Sequence, residues 1–198
     1  DTGGAGRPIH FIITNGAADQ TISTAQVYFL TNQTWDIGGT TILTVPGTIE
    51  DAPSPAYAPT KNGTGTLIFP GDVRYDGPTT LNGGLLVYSG SNTSMLSALI
   101  VNAGILRGTT SGNSLGNSST RNTITLAGGA LELANNTSQT FGHASRLTAV
   151  TGNATIRADR LSAGAGVTHT LGTLRLGTST LSVAPGALVN SGTAGITF

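Results

Sequence analysis

The sequence of 198 residues contains no cysteine and carries little charge. Without cysteine, disulfide bonds and thiolate metal sites are excluded. Charged residues make up 9% of the chain, against about 25% in an average globular protein, and its 9 basic residues balance its 9 acidic ones. Because binding to nucleic acid or to an anionic membrane requires an excess of basic residues, we expect neither as a partner.

Long apolar runs and helical patterns are lacking as well. No apolar run approaches the ~20 residues of a membrane span, and no basic start followed by an apolar segment resembles a signal peptide. No stretch has a helical period free of glycine and β-branched residues, which predicts almost no helix. The chain opens at Asp1 rather than Met, so we expect a processed protein or a piece of a longer one.

The chain does contain a recurring phrase, in which a glycine-rich turn precedes alternating apolar residues. The phrase is centred on Gly84, Gly104 and Gly129. The steps between these glycines, about 20 and then about 25 residues, match the length of one solenoid coil. Because a coil buries its apolar face only against the coils above and below it, the spacing favours a rod.

Apolar pairs two residues apart follow these turns and predict half-buried strands, since such side chains share one face of a strand. We predict an all-β fold, a right-handed parallel β-helix of about nine coils and roughly 40 Å in height. An antiparallel meander is the alternative, but it gives no reason for a coil-length period. The inward-facing pairs are Leu67 and Phe69, Leu86 and Tyr88, Leu99 and Val101, Ile124 and Leu126, Leu131 and Leu133, Leu174 and Leu176, and Leu181 and Val183.

Composition divides the chain into three parts. Residues 1–50 hold strand-like runs in which the phrase is faint, and we interpret them as lead-in coils. Residues 51–60 contain three prolines, which cannot donate ladder hydrogen bonds and so predict a surface loop. Residues 61–198 are predicted to form the β-helix repeat region, with Asn residues at its corners stacked in hydrogen-bonded ladders between coils.

One segment, residues 60–90, resembles a known family. It contains Lys61, Gly-Thr-Gly-Thr-Leu at 63–67, Gly-Pro-Thr-Thr-Leu at 77–81 and Asn-Gly-Gly-Leu-Leu-Val at 82–87. This pattern is similar to the passenger-associated transport repeat, also called the autotransporter-associated β-strand repeat. The resemblance extends over most of residues 17–135. It implies a parallel β-helix in a large secreted or surface-displayed bacterial protein, in which the repeat assists export and folding.

The candidate chemistry is sparse. Asp72, Arg74 and Asp76 alternate with Val73 and Tyr75 and therefore share one strand face. Such a cluster fits a polysaccharide lyase or glycosidase, a glycan-binding surface that includes Tyr57 or Tyr75, or a solvated ion-pair ladder.

No sequence pattern predicts a catalytic site, a cofactor or a metal. The three histidines His10, His143 and His169 lack metal-ligand spacing. No Gly-x-Ser-x-Gly elbow is present. We therefore expect a protein that is not an enzyme.

The sequence favours a structural or adhesive module, a stiff β-helical stalk or fibre of an extracellular or cell-surface bacterial protein. Residues 195–198 end in a strand pattern without a polar cap. We therefore expect the chain to continue in a longer solenoid or to stack head to tail with copies of itself. A host surface or a glycan is the other expected partner. A carbohydrate-cleaving or glycan-binding β-helix remains the alternative function.

Overall fold

The computed structural model describes residues 10–14, 16–51, 55–117 and 122–198. Across these ranges it contains twenty-two β-strands and no helix, as the sequence predicts. The strands are β1 (His10–Ile13), β2 (Gln20–Thr21), β3 (Gln26–Phe29), β4 (Gln33–Ile37), β5 (Ile42–Thr44), β6 (Thr48–Asp51), β7 (Pro59–Asn62), β8 (Thr66–Phe69), β9 (Thr79–Leu81), β10 (Leu85–Tyr88), β11 (Leu99–Val101), β12 (Ile105–Thr109), β13 (Ile124–Leu126), β14 (Ala130–Ala134), β15 (Leu147–Val150), β16 (Ala154–Asp159), β17 (Gly164–Ala165), β18 (Thr168–Thr170), β19 (Thr173–Leu176), β20 (Leu181–Pro185), β21 (Val189–Ser191) and β22 (Gly195–Thr197).

Two long sheets run along the molecule, and each coil contributes one strand to each of them. Sheet A has eight strands in the order β1-β4-β7-β9-β11-β13-β15-β19. Sheet B also has eight, in the order β2-β5-β8-β10-β12-β14-β16-β20. Neighbouring strands in both sheets run parallel. The predicted parallel β-helix is therefore confirmed, and the antiparallel meander is excluded.

A third side of each coil closes the path from sheet B back to sheet A. Near the start of the chain it consists of the parallel pair β3-β6 and of a bridge between Ile49 and Val73. Near the end it consists of the pairs β17-β21 and β18-β22. We call this side the third side.

Within the described ranges, the number of coils is lower than the predicted nine. The strands stack in about seven turns, which at about 4.8 Å per coil gives a stack of roughly 34 Å. Coils vary in length, because the step from Leu67 to its partner Leu86 is shorter than the step from Ile156 to its partner Val183. The later coils thus use more chain than the ~22 residues that the prediction assumed.

The core consists of vertical columns of like side chains. Leucines and one isoleucine from successive strands of sheet B stand in register, and all of them are buried. Within the column each apolar side chain after Leu43 therefore packs between two others of similar size, which favours the close packing typical of protein interiors. This column contains Leu43, Leu67, Leu86, Leu106, Leu131 and Ile156.

The predicted inward-facing pairs are less buried at the end of the stack than in its middle. The pairs predicted between residues 67 and 133 are buried, as expected. Leu176 and Val183 stand in register with buried Val150 and Ile156, yet they are 51% and 50% exposed. In the described chain β19 and β20 are the last strands of their sheets, so no coil covers these two side chains.

Corners between sheet A and sheet B also repeat in register. Gly84, Gly104 and Gly129 have positive φ angles of 66°, 81° and 61°, a region that glycine alone adopts readily. A Cβ atom at Gly104 would collide with the carbonyl oxygen of Gly84, and one at Gly129 would lie 2.5 Å from that of Gly104. The recurring glycines therefore allow successive corners to stack in direct contact.

Asparagines at the start of the same corners form the predicted ladder. Asn82 Nδ2 donates to Asn62 Oδ1 at 2.9 Å, and Asn102 Nδ2 donates to Asn82 Oδ1 at 2.8 Å. These bonds connect three successive coils along the axis.

Strands occupy both ends of the predicted proline-rich loop, residues 51–60. Strand β6 ends at Asp51, and β7 already begins at Pro59, which pairs with Gln33. Proline is compatible with the first residue of a strand, so the last two residues of the predicted loop belong to sheet A. Residues 52–54 lie outside the described ranges.

His169 is a fully buried polar residue near the end of the stack. Its Nε2 lies 3.0 Å from the carbonyl oxygen of Asp159, and its Nδ1 accepts from the backbone N–H of Gln139 at 3.3 Å. These partners fit the neutral ring with its proton on Nε2. Burial lowers the pKa of His169, while the bond to the Asp159 carbonyl and the charge of Asp159 act in the opposite direction.

The stacked glycines predict an asymmetric response to alanine. Gly104→Ala should lower the free energy of unfolding by roughly 1–3 kcal/mol or more, because the positive φ is strained and the new Cβ meets backbone. Gly177→Ala is the matched control in the corner of the last coil, where the nearest atom is 3.7 Å away, and its effect should stay under about 1 kcal/mol. Urea unfolding measures both, and equal effects would contradict the stacking argument.

His169 predicts acid sensitivity. Because its folded pKa lies below the ordinary 6.5, the unfolded chain binds the proton more readily, so the free energy of unfolding should fall as the pH drops below 6.5. His169→Gln keeps one acceptor and one donor without titrating, and it should flatten this dependence. Unfolding curves between pH 7 and pH 5 test the difference, and parallel slopes in both proteins would refute it.

Candidate functional site

Arg74 is the centre of an ion-pair cluster on the third side. Its Nε lies 2.7 Å from Asp72 Oδ2 and its Nη1 lies 3.1 Å from Glu50 Oε1. The hydrogen bond and charge of Asp72, followed by those of Glu50, raise the pKa of Arg74. The arginine side chain is 49% exposed, so the cluster lies at the surface, and the predicted ion-pair ladder is confirmed for Asp72 and Arg74.

The register of the third side places this cluster in a larger array. The backbone of Ile49 bonds to Asp72 and Arg74 on either side of Val73, and β3 pairs in register with β6. Ile49 and Val73 point inward and are buried, so the residues flanking them point outward. The array has two rows, one of Gln26, Thr48 and Asp72 and one of Tyr28, Glu50 and Arg74. We call these six residues the polar platform.

Tyr28 is the exposed aromatic residue of the platform. Its side chain is 56% exposed, and its hydroxyl accepts from Gln26 Nε2 at 3.0 Å. The carboxylate of Glu50 raises the pKa of Tyr28, because it accepts from the neutral phenol and repels the phenolate. The side chain is therefore more than half exposed while its hydroxyl is held by neighbours.

Tyr75, another of the predicted surface residues, lies in the core. Tyr75 is fully buried, and its hydroxyl lies 2.8 Å from Thr79 Oγ1 and 2.6 Å from the Tyr88 hydroxyl. The prediction that Tyr75 contributes to a surface site is wrong, because an inward position on the third side places it in the aromatic core. Its burial raises the pKa of this tyrosine far above the ordinary value.

Tyr57 and Asp76 lie beside the platform and are tied to one carboxylate. Asp51 Oδ2 accepts from the backbone N–H of Tyr57 at 3.0 Å and from that of Asp76 at 3.2 Å. The Tyr57 ring is partly buried against the core. A binding role for these two residues, as for Asp72 and Arg74, stays a prediction.

Sequence reasoning missed four of the six platform residues. Gln26, Tyr28, Thr48 and Glu50 lie one or two coils before Arg74 in the chain, and no local motif marks them. Alternation of outward residues within each strand was visible, but the pairing between coils that brings them together was not. Correct alignment of β3 with β6, and of Ile49 with Val73, would have found them.

A second charged cluster lies on the outer face of sheet B. Arg107 Nε lies 3.2 Å from Glu132 Oε1, and Arg107 Nη2 lies 3.8 Å from Asp159 Oδ2. Burial raises the pKa of Glu132, against the charge of Arg107. The other Asp159 oxygen accepts from the backbone N–H of Leu188 at 2.9 Å. These bonds fasten a loop to the sheet, so we interpret the cluster as structural.

The described residues offer no arrangement for a metal ion. No group of three or more His, Asp or Glu side chains there could hold one. His169 uses both ring nitrogens within the fold, and His143 Nδ1 accepts from the backbone N–H of Ser145 at 3.1 Å. The side chain of His10 is not among the side chains that the structure describes. Nor do these ranges contain a helix with the length and apolarity that crossing a membrane requires.

Lys61, the only lysine of the chain, is buried inside the coil. It occupies the inner column of sheet A between Trp35 and Leu81. Its Nζ donates to the carbonyl oxygens of Asn62, Gly63 and Gly83 at 2.7, 2.9 and 3.1 Å. Two stacked corners thus share one ammonium group, which satisfies carbonyls that would otherwise lack donors. Burial lowers the pKa of Lys61 to about 8.

Comparison with known protein families places a recognised repeat on this part of the chain. Residues 60–87 match the passenger-associated transport repeat, a segment that runs from β7 to β10 and includes Lys61. The resemblance expected from residues 60–90 is confirmed. Comparisons with curated proteins and with solved structures gave no match. The chain therefore carries a passenger-associated transport repeat within a β-solenoid.

Burial of the ammonium group predicts a rise of stability with pH. The folded pKa of Lys61 lies near 8, below its ordinary 10.5, so the unfolded chain holds the proton more tightly between these values. The free energy of unfolding should therefore increase as the pH is raised above 8. Lys61→Met should lose this increase.

Urea unfolding between pH 8 and pH 9.5 is the appropriate measurement, because tyrosines titrate above that range. The wild type serves as the control, since no other lysine contributes. A variant whose stability rises with pH as steeply as that of the wild type would contradict the assignment.

Proposed function

We propose that this chain is a stiff structural and adhesive module in the passenger region of a secreted or cell-surface bacterial protein. The match of residues 60–87 to the passenger-associated transport repeat supports the assignment to a passenger region. The two continuous eight-stranded parallel sheets carry the structural part of the proposal. A module of this kind acts through its length and its surface, and it needs no catalytic group.

Stiffness follows from the way in which successive coils are joined. Each coil pairs with the next through strands in both sheets, so bending the stack at one point would break hydrogen bonds on two sides. The Asn ladder and the shared carbonyls around Lys61 add bonds between coils at the corners. Such a stack keeps a binding surface at a fixed distance from its point of attachment.

The end of the stack supports an end-on partner. Leu176 and Val183 continue two buried columns but are about half exposed, and the outer edges of β19 and β20 have no strand partner within the described chain. A further coil added in parallel would cover both side chains and pair both edges. The partner that fits is more solenoid, either in a longer chain or in a second copy stacked head to tail.

The proposal predicts that one coil is removable in register. Deletion of residues 82–101 joins Leu81 to Asn102, and both ends keep their places because Leu81 pairs with Val101. The shortened chain should stay folded, and its longest dimension should decrease by about 5 Å. Small-angle scattering and circular dichroism measure both quantities.

Export is tested with the same deletion. Fused between a bacterial signal peptide and an outer-membrane translocator, the full chain and the in-register variant should both be accessible to antibody on intact cells. Deletion of residues 82–91 is the control, because it removes one corner and β10 and thereby breaks the register. Failure of the full chain to reach the surface, or equal display of all three, would overturn the proposal.

A further inference from the structure

We propose that the polar platform binds a neutral oligosaccharide. Its six residues are Gln26, Tyr28, Thr48, Glu50, Asp72 and Arg74. The inference gives a ligand class to the adhesive part of the proposed function and rests on it. The structural part of that function is independent of the platform.

The side chains of the platform supply the groups that a sugar needs. Amide, hydroxyl, carboxylate and guanidinium groups lie side by side, so donors and acceptors are close to one another. Arg74 bridges Asp72 and Glu50, which holds these three side chains in place before a ligand arrives. Ordered side chains lose less conformational entropy on binding.

Tyr28 adds an apolar surface to these polar groups. Its ring is exposed while its hydroxyl is held by Gln26. Sugar rings present C–H groups on one face and hydroxyl groups around the edge, so an exposed aromatic ring beside hydrogen-bonding groups matches both parts. Tyrosine serves such a contact well because little flexibility is lost when it is covered.

The dimensions fit a short saccharide. Three coils about 4.8 Å apart and two rows about 7 Å apart give a platform of roughly 10 by 7 Å, which is the footprint of a disaccharide. A shallow and open depression adjoins it and shares Thr48. The depression is lined by Ser23, Thr24, Ala25, Pro46, Gly47 and Thr48.

Charge and apolar content argue against other ligands. Glu50 and Asp72 outnumber Arg74 by one negative charge, which disfavours phosphates, nucleic acids and sulfated glycans. Tyr28 is the one aromatic side chain among the six residues, so the platform lacks the apolar centre and the area of a stable protein interface. Among these ligand classes, an uncharged ligand rich in hydroxyl groups fits the platform best.

A glycan array and calorimetry test the inference on the full chain. The array should carry neutral di- to tetrasaccharides beside sialylated and sulfated ones. We expect the wild type to bind one or more neutral glycans, and Tyr28→Ala and Arg74→Ala each to weaken that binding at least tenfold. Tyr28→Phe, which keeps the ring, should retain most of it.

Matched controls separate binding from folding. Arg175→Ala removes an exposed arginine from sheet A, and Leu30→Ala removes an exposed apolar residue close to Tyr28 in the chain. Both should bind as the wild type does, and all variants should keep its β-sheet circular dichroism. If Tyr28→Ala does not fold, the comparison of Tyr28→Phe and Arg74→Ala with Arg175→Ala decides.

Three outcomes would overturn the inference. They are binding to no neutral glycan, a preference for the anionic glycans, and equal affinity of the platform variants and the controls. If a folded, surface-displayed chain binds none of the glycans, the platform fails as a glycan site while the structural part of the proposed function stands. If the chain is not displayed, the proposed function fails first.

Discussion

Vertical register between parallel coils is the constraint on which the rest of this structure depends. Backbone N–H and C=O groups of the paired strands bond from one coil to the next, so a shift of one residue would turn every side chain of a strand to the opposite face. The leucine column of sheet B, the corner glycines and the Asn ladder are three consequences of one alignment.

Register also explains where the chain tolerates buried polar groups. Lys61 occupies a core column, and its long side chain reaches the carbonyls of two stacked corners. Arg146 lies inside the coil in the same manner and donates to the carbonyls of Leu115 and Phe141. His169 bonds to backbone on both sides of its ring. Lys61 and Arg146 bond mainly to corner and loop backbone next to a sheet, where carbonyls lack a ladder partner.

Local sequence predicted the parts of this fold that repeat locally. Alternation showed which residues of a strand face inward, and positive-φ glycines marked the corners, so the parallel β-helix and its inner faces followed from the chain alone. The contacts between coils did not follow. Tyr75 alternates with Asp72 and Arg74 and is buried, so its expected surface position conflicts with the alternation itself. Tyr28 and Glu50 did not follow from the sequence, because alternation identifies a face but not the neighbour in the next coil.

Differences in coil length bear on where a binding surface can arise. Sheets A and B must keep their register. The coil from Leu67 to Leu86 is shorter than the coil from Ile156 to Val183, and the extra residues therefore lie outside the strands of these two sheets. The third side shows this directly, since it is a strand pair at β3-β6, a single bridge at Val73 and two separate pairs near the end of the chain. Substitutions there leave the two long ladders intact. The third side can therefore change its outward residues at little cost to the stack, and the polar platform lies on this side.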